Sequence, residues 1–450
     1  MQQEPVRRDD KKLRSILRNK IAHLYQLPKE LSSTEDLINT VEDYFLPSLV
    51  YFFLQSKQKD FKQYLSEINF RSEQYSFVTN RVQKLFEIIS IENISDVDKI
   101  LGDIHPHFST KVLTKGKVRY KKYPDYYDNL VNLIQEIIPD YNKYLPGISR
   151  ETNDFILREY IDINKQTNNE KLINEYYFNL GRFIPILLLL RAIDINAENV
   201  IINLPYPIFF DLESIFSGEF GENIEEYSIR NTGVIKLTDT NDSSVISGGI
   251  GVKNSFLKPI IFIKDGKPNI KWKVPSLGKY NNIPILNGSD VNPNKYLDKI
   301  ESGYNDTVQK ILVSKEILSS LLDREIDTFT RVILRPTRVY RLMILKSFYP
   351  QIYLDQDLLN FFNTELCNNP YIYDVNPKSV VNSEVNSVSN LLVPVFYSNI
   401  FKKEIFFPND DVVGEFKSSQ YDVWTRYLNR IFNENFFKKQ RTLLTDSLKN

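Results

Sequence analysis

Apolar positions along the chain recur mostly at helical spacing, with short stretches of strand-like alternation between them. Phe77, Val78, Val82, Leu85, Phe86 and Ile89 form one stripe at i, i+4 spacing, which predicts an amphipathic helix whose aromatic residues are core. Upstream, Leu31 to Leu37 sets Ser and Thr ahead of acidic residues, a helix-start pattern. Tyr44, Phe45, Leu46, Leu49, Val50 and Phe52 to Leu54 continue the helical spacing, and Pro47 marks a break or bend. Lys111 to Tyr123 changes period: two short strands around Lys115-Gly116-Lys117.

Asp128 to Ile138 and Glu170 to Ile193 return to a helical pattern, the second with a bend at Pro185. Val200 to Leu212 reads as a β-hairpin with a Pro-containing loop. Residues 214 to about 295 are rich in Gly, Asn and Ser and read as an irregular insertion with some strand. Tyr296 to Phe329, Asp357 to Phe362 and Val423 to Phe436 are helical in pattern, whereas 375 to 390, an alternation of Val, Asn and Ser, reads as a loop. No repeat of fixed period is present. The fold class expected is α+β. The chain divides into a helical N-terminal region (1–100), a core (101–345) carrying the insertion, and a mostly helical C-terminal subregion (346–450).

With 42% hydrophobic and 25% charged residues, the chain is rich enough in apolar side chains to form a core of this size. Lys and Arg total 57, as do Asp and Glu, so no whole-surface field attracts nucleic acid or anionic lipid. A single cysteine, Cys367, excludes an internal disulfide, and with three histidines it excludes a Cys-rich zinc site. Met1 to Lys12 is charged and lacks the apolar run of a secretion signal. The most apolar stretch, Phe183 to Leu190, is far too short to span a bilayer. The expectation is a cytoplasmic protein with no membrane span and no nucleic-acid partner.

Chemistry concentrates at Asp194 to Asn199, followed by the hairpin that ends in Asp211-Leu-Glu213. The Asp-to-Asn spacing equals that of the protein-kinase catalytic loop, where Asp accepts the proton of the attacking hydroxyl and Asn holds Mg²⁺. A hairpin then delivers a second acid. Oxygen ligands such as Asn199 and Asp211 suit Mg²⁺, which keeps its other positions for phosphates and water. Such a site also needs an upstream strand lysine facing the phosphates. Lys121 is the candidate, with Lys122 one residue out of phase. Against this stands the plainer assignment of Asp194 to a helix end and Asn199 to a turn. A second window, Arg331 to Arg341, holds four arginines in eleven residues. It reads either as a solvated, salt-bridged face or as an anion site built on planar guanidinium forks.

In these blocks the chain resembles the N-terminal dehydratase domain of class II (LanM-type) lanthipeptide synthetases. Asp103-Ile-His105 followed by Gly116 to Lys121, Tyr176 to Gly181 leading to Asp194–Asn199, Asp211 to Phe216, Asn282 to Gly288, Arg331 to Thr337 and Leu391 to Tyr397 match its blocks in order, over roughly residues 30 to 430. The resemblance implies a lipid-kinase-like bilobal core with a helical N-terminal elaboration. It implies ATP and Mg²⁺ as cofactors and a ribosomally made precursor peptide as substrate, whose Ser and Thr are phosphorylated and then lose phosphate to give dehydroalanine and dehydrobutyrine. It matches Asp194, Asn199, Asp211 and Glu213 to phosphorylation and Mg-ATP positions and Lys121 to the nucleotide lysine. Arg331 and Thr337 match elimination positions, and Asp103 and His105 a further active-site pair.

Three departures qualify the likeness. Asn196 stands where the family usually has His, and an amide cannot act as general acid or base. Lys122-Tyr123 replaces the Pro-Arg that follows the strand lysine. The chain also ends where a full synthetase begins its zinc-dependent cyclase, so the expectation is a stand-alone dehydratase or peptide kinase, with ring closure left to another protein or not occurring. The alternatives are a peptide Ser/Thr kinase without elimination and a non-catalytic peptide-binding scaffold.

Overall fold

The computed structural model describes residues 4–25, 35–91, 112–114, 117–121, 134–135, 137–145, 148–151, 155–159, 163–209, 212–221, 226–235, 244–246, 258–264, 267–273, 282–321, 328–355, 357–377, 379–407, 411–432 and 434–449. The chain opens with helices α1 (Glu4–Tyr25), α2 (Glu35–Gln55), α3 (Phe61–Glu67) and α4 (Ser76–Ile91). The expected stripe is the buried face of α4, with Val78, Val82, Leu85 and Phe86 inside. Helix α2 runs through Pro47 rather than ending there. Asp60 starts α3 by accepting the Gln63 N–H at 2.9 Å.

Strands β1 (Val112–Thr114), β2 (Lys117–Lys121), β3 (Ile148–Glu151) and β4 (Phe155–Glu159) form an antiparallel sheet ordered β1-β2-β4-β3, so the expected strand pair around Gly116 is present. The helical pattern at Asp128 to Ile138 lies mostly outside the described residues. Helix α5 (Glu170–Leu189), capped by the Asn169 side chain, ends four residues short of the expected span. The expected hairpin follows as β5 (Val200–Asn203) and β6 (Tyr206–Phe209), joined across a cis Leu204-Pro205 bond. Within the insertion, β7 (Lys258–Lys264) and β8 (Lys267–Lys273) make a second hairpin.

Next come α6 (Leu297–Val313), α7 (Lys315–Leu321) and β9 (Phe329–Val332). The helical pattern expected as far as Phe329 therefore gives way to a strand. Helices α8 (Thr337–Lys346) and α9 (Leu358–Cys367), strand β10 (Val375–Pro377) and helix α10 (Val380–Ser389) follow. The loop expected over 375 to 390 is thus mostly helix. Val, Asn and Ser are weak helix formers, but burial of Val380, Glu384, Val385, Ser387 and Val388 along one side overrides propensity. Strands β11 (Phe396–Asn399), β12 (Glu404–Phe406) and β13 (Val412–Phe416) complete an antiparallel sheet ordered β9-β11-β12-β13-β10. Helices α11 (Gln420–Ile431) and α12 (Glu434–Lys449) close the chain. The fold is α+β, as expected.

Two hydrophobic cores form among the described residues. One unites α5, α6, the β5–β6 hairpin, the five-stranded sheet, α11 and α12. The other joins α1 to α4, Ile261 of β7 and the helices α8 to α10. Tyr44 stacks on Phe348 at 4.3 Å and Phe77 on Tyr353 at 4.1 Å across that second core. Within the first core, α5 and α6 approach to backbone contact at Gly181 and Gly303. A methyl group on Gly303 would lie 1.9 Å from the Phe178 carbonyl oxygen, and one on Gly181 would lie 2.1 Å from that of Ile300. Because the obstructing atoms are backbone, they cannot swing aside. Gly303→Ala should therefore cost about 3 kcal/mol, the upper range for overpacking, read as a lowered denaturant midpoint; a loss under about 0.5 kcal/mol would contradict this packing.

Candidate active site

The C-terminus of α5 delivers the chain into a loop that is stitched to a second loop. The Ile193 N–H donates to the Ser214 carbonyl at 2.9 Å, Phe216 N–H to Leu190 at 2.7 Å and Ser217 N–H to Arg191 at 3.2 Å. Ile195 N–H is taken by the Thr232 carbonyl at 2.8 Å. These bonds lay the segment around Asp194 alongside the segment around Glu213. Of the five non-glycine residues with left-handed φ among the described residues, Arg191, Asp194 and Phe216 fall on these two loops. Each costs of order 1–3 kcal/mol, and such clustering points to a functional site.

Asp194 is exposed at the tip of its loop, with φ 62°. Asn199 ends a short 3₁₀ turn, Ala197–Asn199, and its Nδ2 donates to the Asp194 carbonyl at 2.7 Å. That bond fixes the amide by its nitrogen end, leaving the oxygen as the end able to meet a hard cation. Asn196 is half-buried and its backbone bridges to Ser244. Glu213 and Arg331 form an ion pair, their side chains only 15% and 10% exposed. The pair is doubled by the backbone, since Arg331 N–H donates to the Glu213 carbonyl at 2.9 Å. Burial works against the Arg331 charge, but the Glu213 and Asp194 carboxylates outweigh it and raise its pKa above the ordinary arginine value. Tyr373, pushed up by burial, feels both the Arg191 and Asp194 charges.

Asp194, Asn199, Glu213 and Arg331 are thus brought together. Arg331 lies on β9 opposite Tyr397 of β11, and Thr337 is the first residue of α8. Lys121 ends β2 on the separate four-stranded sheet, opposite Phe155 of β4. Asp103, His105 and Asp211 lie outside the described residues. Among the described residues, no cluster of three or more His, Cys, Asp or Glu is arranged to hold a metal ion. No helix among them is long and apolar enough to cross a membrane.

The arginine window divides, and neither sequence reading fits all of it. Arg335 is buried, pairs with Glu384 at 2.8 and 3.3 Å, donates to the Leu366 carbonyl at 3.0 Å and lies 3.9 Å over the Tyr371 ring. Glu384 also accepts from Tyr340 at 2.6 Å. Arg335 is therefore a brace for the turn between β9 and α8, while Arg338 is exposed. Sequence reasoning also missed the support beneath the loops. One face of α11 carries Gln420, Trp424 and Tyr427, at i, i+4 and i+7. Gln420 donates to the Phe216 carbonyl at 2.8 Å and bonds Thr330, and Trp424 donates to the Leu189 carbonyl at 2.8 Å. The signal available was that i, i+4, i+7 spacing, which starts three residues before the helical pattern expected over Val423 to Phe436.

A family model described as Domain of unknown function (DUF4135) matches residues 80–399, more than half of the chain and a span containing Asp194, Glu213, Arg331 and Thr337. Lacticin 481/lactococcin biosynthesis protein LcnDR2 of Lactococcus lactis subsp. lactis is 22% identical over 410 residues of alignment, covering 82% of this chain and 42% of that protein. The chain thus spans less than half the length of the curated relative it matches.

Glu384→Ala would leave the buried Arg335 charge without its carboxylate. It should cost about 3–5 kcal/mol in denaturant unfolding, against less than about 0.5 kcal/mol for Arg338→Ala at the surface.

Proposed function

We propose that this chain, which belongs to the family described as Domain of unknown function (DUF4135), is a LanM-like, dehydratase-related protein acting in lanthipeptide modification. In the finer reading it is a peptide dehydratase on a lipid-kinase-like bilobal core. Its substrate is a ribosomally made precursor peptide. The observation that carries this reading is the convergence of Asp194 and Asn199 with the Glu213–Arg331 pair.

Mg-ATP, when bound, supplies the γ-phosphoryl group. Asn199, Asp211, Glu213 and Lys121 are the residues that would hold it, a donor set of hard oxygens and one ammonium that suits magnesium and phosphate. Asp194 would take the proton from the Ser or Thr hydroxyl, whose oxygen would receive the γ-phosphoryl group with ADP as the leaving group. In the second stage a base of the site would take the peptide Cα proton, the C–H electron pair would become the carbon–carbon double bond, and the Cβ–O bond would break with its electron pair leaving on phosphate. The Arg331 guanidinium, with Thr337 nearby in sequence, stabilises the departing dianion. Asp103 and His105 remain assigned to the same chemistry through the family likeness. Asn196 carries no transferable proton. That favours a second reading, in which phosphorylation proceeds and elimination does not.

Intact-mass analysis of the cognate peptide after incubation with ATP and Mg²⁺ tests both. Loss of one water per modified residue is expected. Retention of one added phosphate per site supports the second reading, and an unmodified peptide with folded protein contradicts both and leaves a scaffold role. Arg331→Ala should convert water loss into retained phosphate. Asp194→Asn should slow both products by about 10²–10⁴-fold, the range for removing a general base.

A further inference from the structure

We infer that Arg191 is the positioning residue of this site, holding the Asp194 loop in register with the Glu213 loop; the inference rests on the phosphotransfer reading above. Arg191 stands three residues before Asp194, is 6% exposed and has φ 47°, a conformation that a long side chain adopts only when its surroundings impose it. Its Nε donates to the Ser217 carbonyl at 2.9 Å and its Nη2 to the Gly218 carbonyl at 3.0 Å. Both acceptors belong to the opposite loop. The guanidinium plane lies over Tyr227 at 4.7 Å, Tyr427 at 5.0 Å and Phe220 at 5.7 Å. Tyr227 in turn donates its hydroxyl to the Leu187 and Ala192 carbonyls, at 3.2 and 2.9 Å, on either side of Arg191.

Among the described residues, the hydrogen bonds of the Arg191 guanidinium go to two carbonyls, and three aromatic rings lie within about 6 Å of it. It is therefore built into the protein as a geometric brace rather than as half of an ion pair. A planar, delocalised cation can donate to two carbonyls at its edge while lying against aromatic rings. Lysine keeps the charge and loses that geometry. Because the loop leads directly to Asp194, slack in the brace becomes displacement of the carboxylate. A displacement of about 1 Å at a reacting group costs on the order of 10²-fold in rate.

The test compares Arg191→Lys with the unaltered full chain by hydrogen exchange and by steady-state phosphorylation of the cognate peptide. Exchange should rise about tenfold in residues 190–196 and 212–218 and stay unchanged in α4 and α12. Turnover should fall about 100-fold, with KM for ATP and for peptide within about threefold. A merely structural residue would lower stability throughout and would not split turnover from KM. Should Arg191→Lys fail to fold, Tyr227→Phe keeps the ring and removes the two carbonyl bonds, and it should give the same local exchange with about a tenfold loss of turnover. Unchanged loop exchange in a folded variant overturns the inference, as does loosened exchange with undiminished turnover. Absence of phosphotransfer in the unaltered chain overturns the reading beneath it, a result distinct from either.

Discussion

The Arg331–Glu213 pair joins parts of the chain 118 residues apart, through side chains and backbone at once. A buried guanidinium without a carboxylate would be costly, so the strand carrying Arg331 and the loop carrying Glu213 are held to one another. The Asp194 loop is then fixed to the Glu213 loop by three backbone hydrogen bonds. The site is therefore set by non-local contacts, and the first core, to which Ile193, Ile195, Leu212, Ile215 and Phe216 of the two loops belong, supplies the rigidity that makes those contacts precise.

Those supports are arranged hierarchically. Helix α5 is pinned to α6 by glycine-to-backbone contact, which fixes where its C-terminus releases the chain. Helix α11 then presents Gln420, Trp424 and Tyr427 to the loops that follow. On the far side, the Arg335–Glu384 pair ties the turn after β9 to α10. Strain at Arg191, Asp194 and Phe216 persists because it is over-determined by these neighbours.

Much of this was legible in the sequence where the information is local. The stripe from Val78 to Phe86, the hairpin between Val200 and Phe209, and the short strands around Gly116 follow from period and turn chemistry. The helix at Val380–Ser389 was not, because weak helix formers there are stabilised by burial against distant elements. The arginine window failed for the same reason: Arg335 differs from Arg338 only through Glu384, 49 residues away. Asp194 and Asn199 could be singled out by spacing, and Arg331 by its place in a block, yet nothing local told that Arg331 and Glu213 are partners. Arg191 carried a weak signal, a charge within an apolar run that continues beyond a helix end.

The central claim is that Glu213 and Arg331, joined by side chain and backbone, act as one energetic unit that holds β9 to the Glu213 loop. A double-mutant cycle on unfolding free energy, with Glu213→Ala, Arg331→Ala and the double variant, measures this directly. A coupling of at least about 1 kcal/mol is predicted for contacting, buried partners, and additivity within about 0.5 kcal/mol would contradict it.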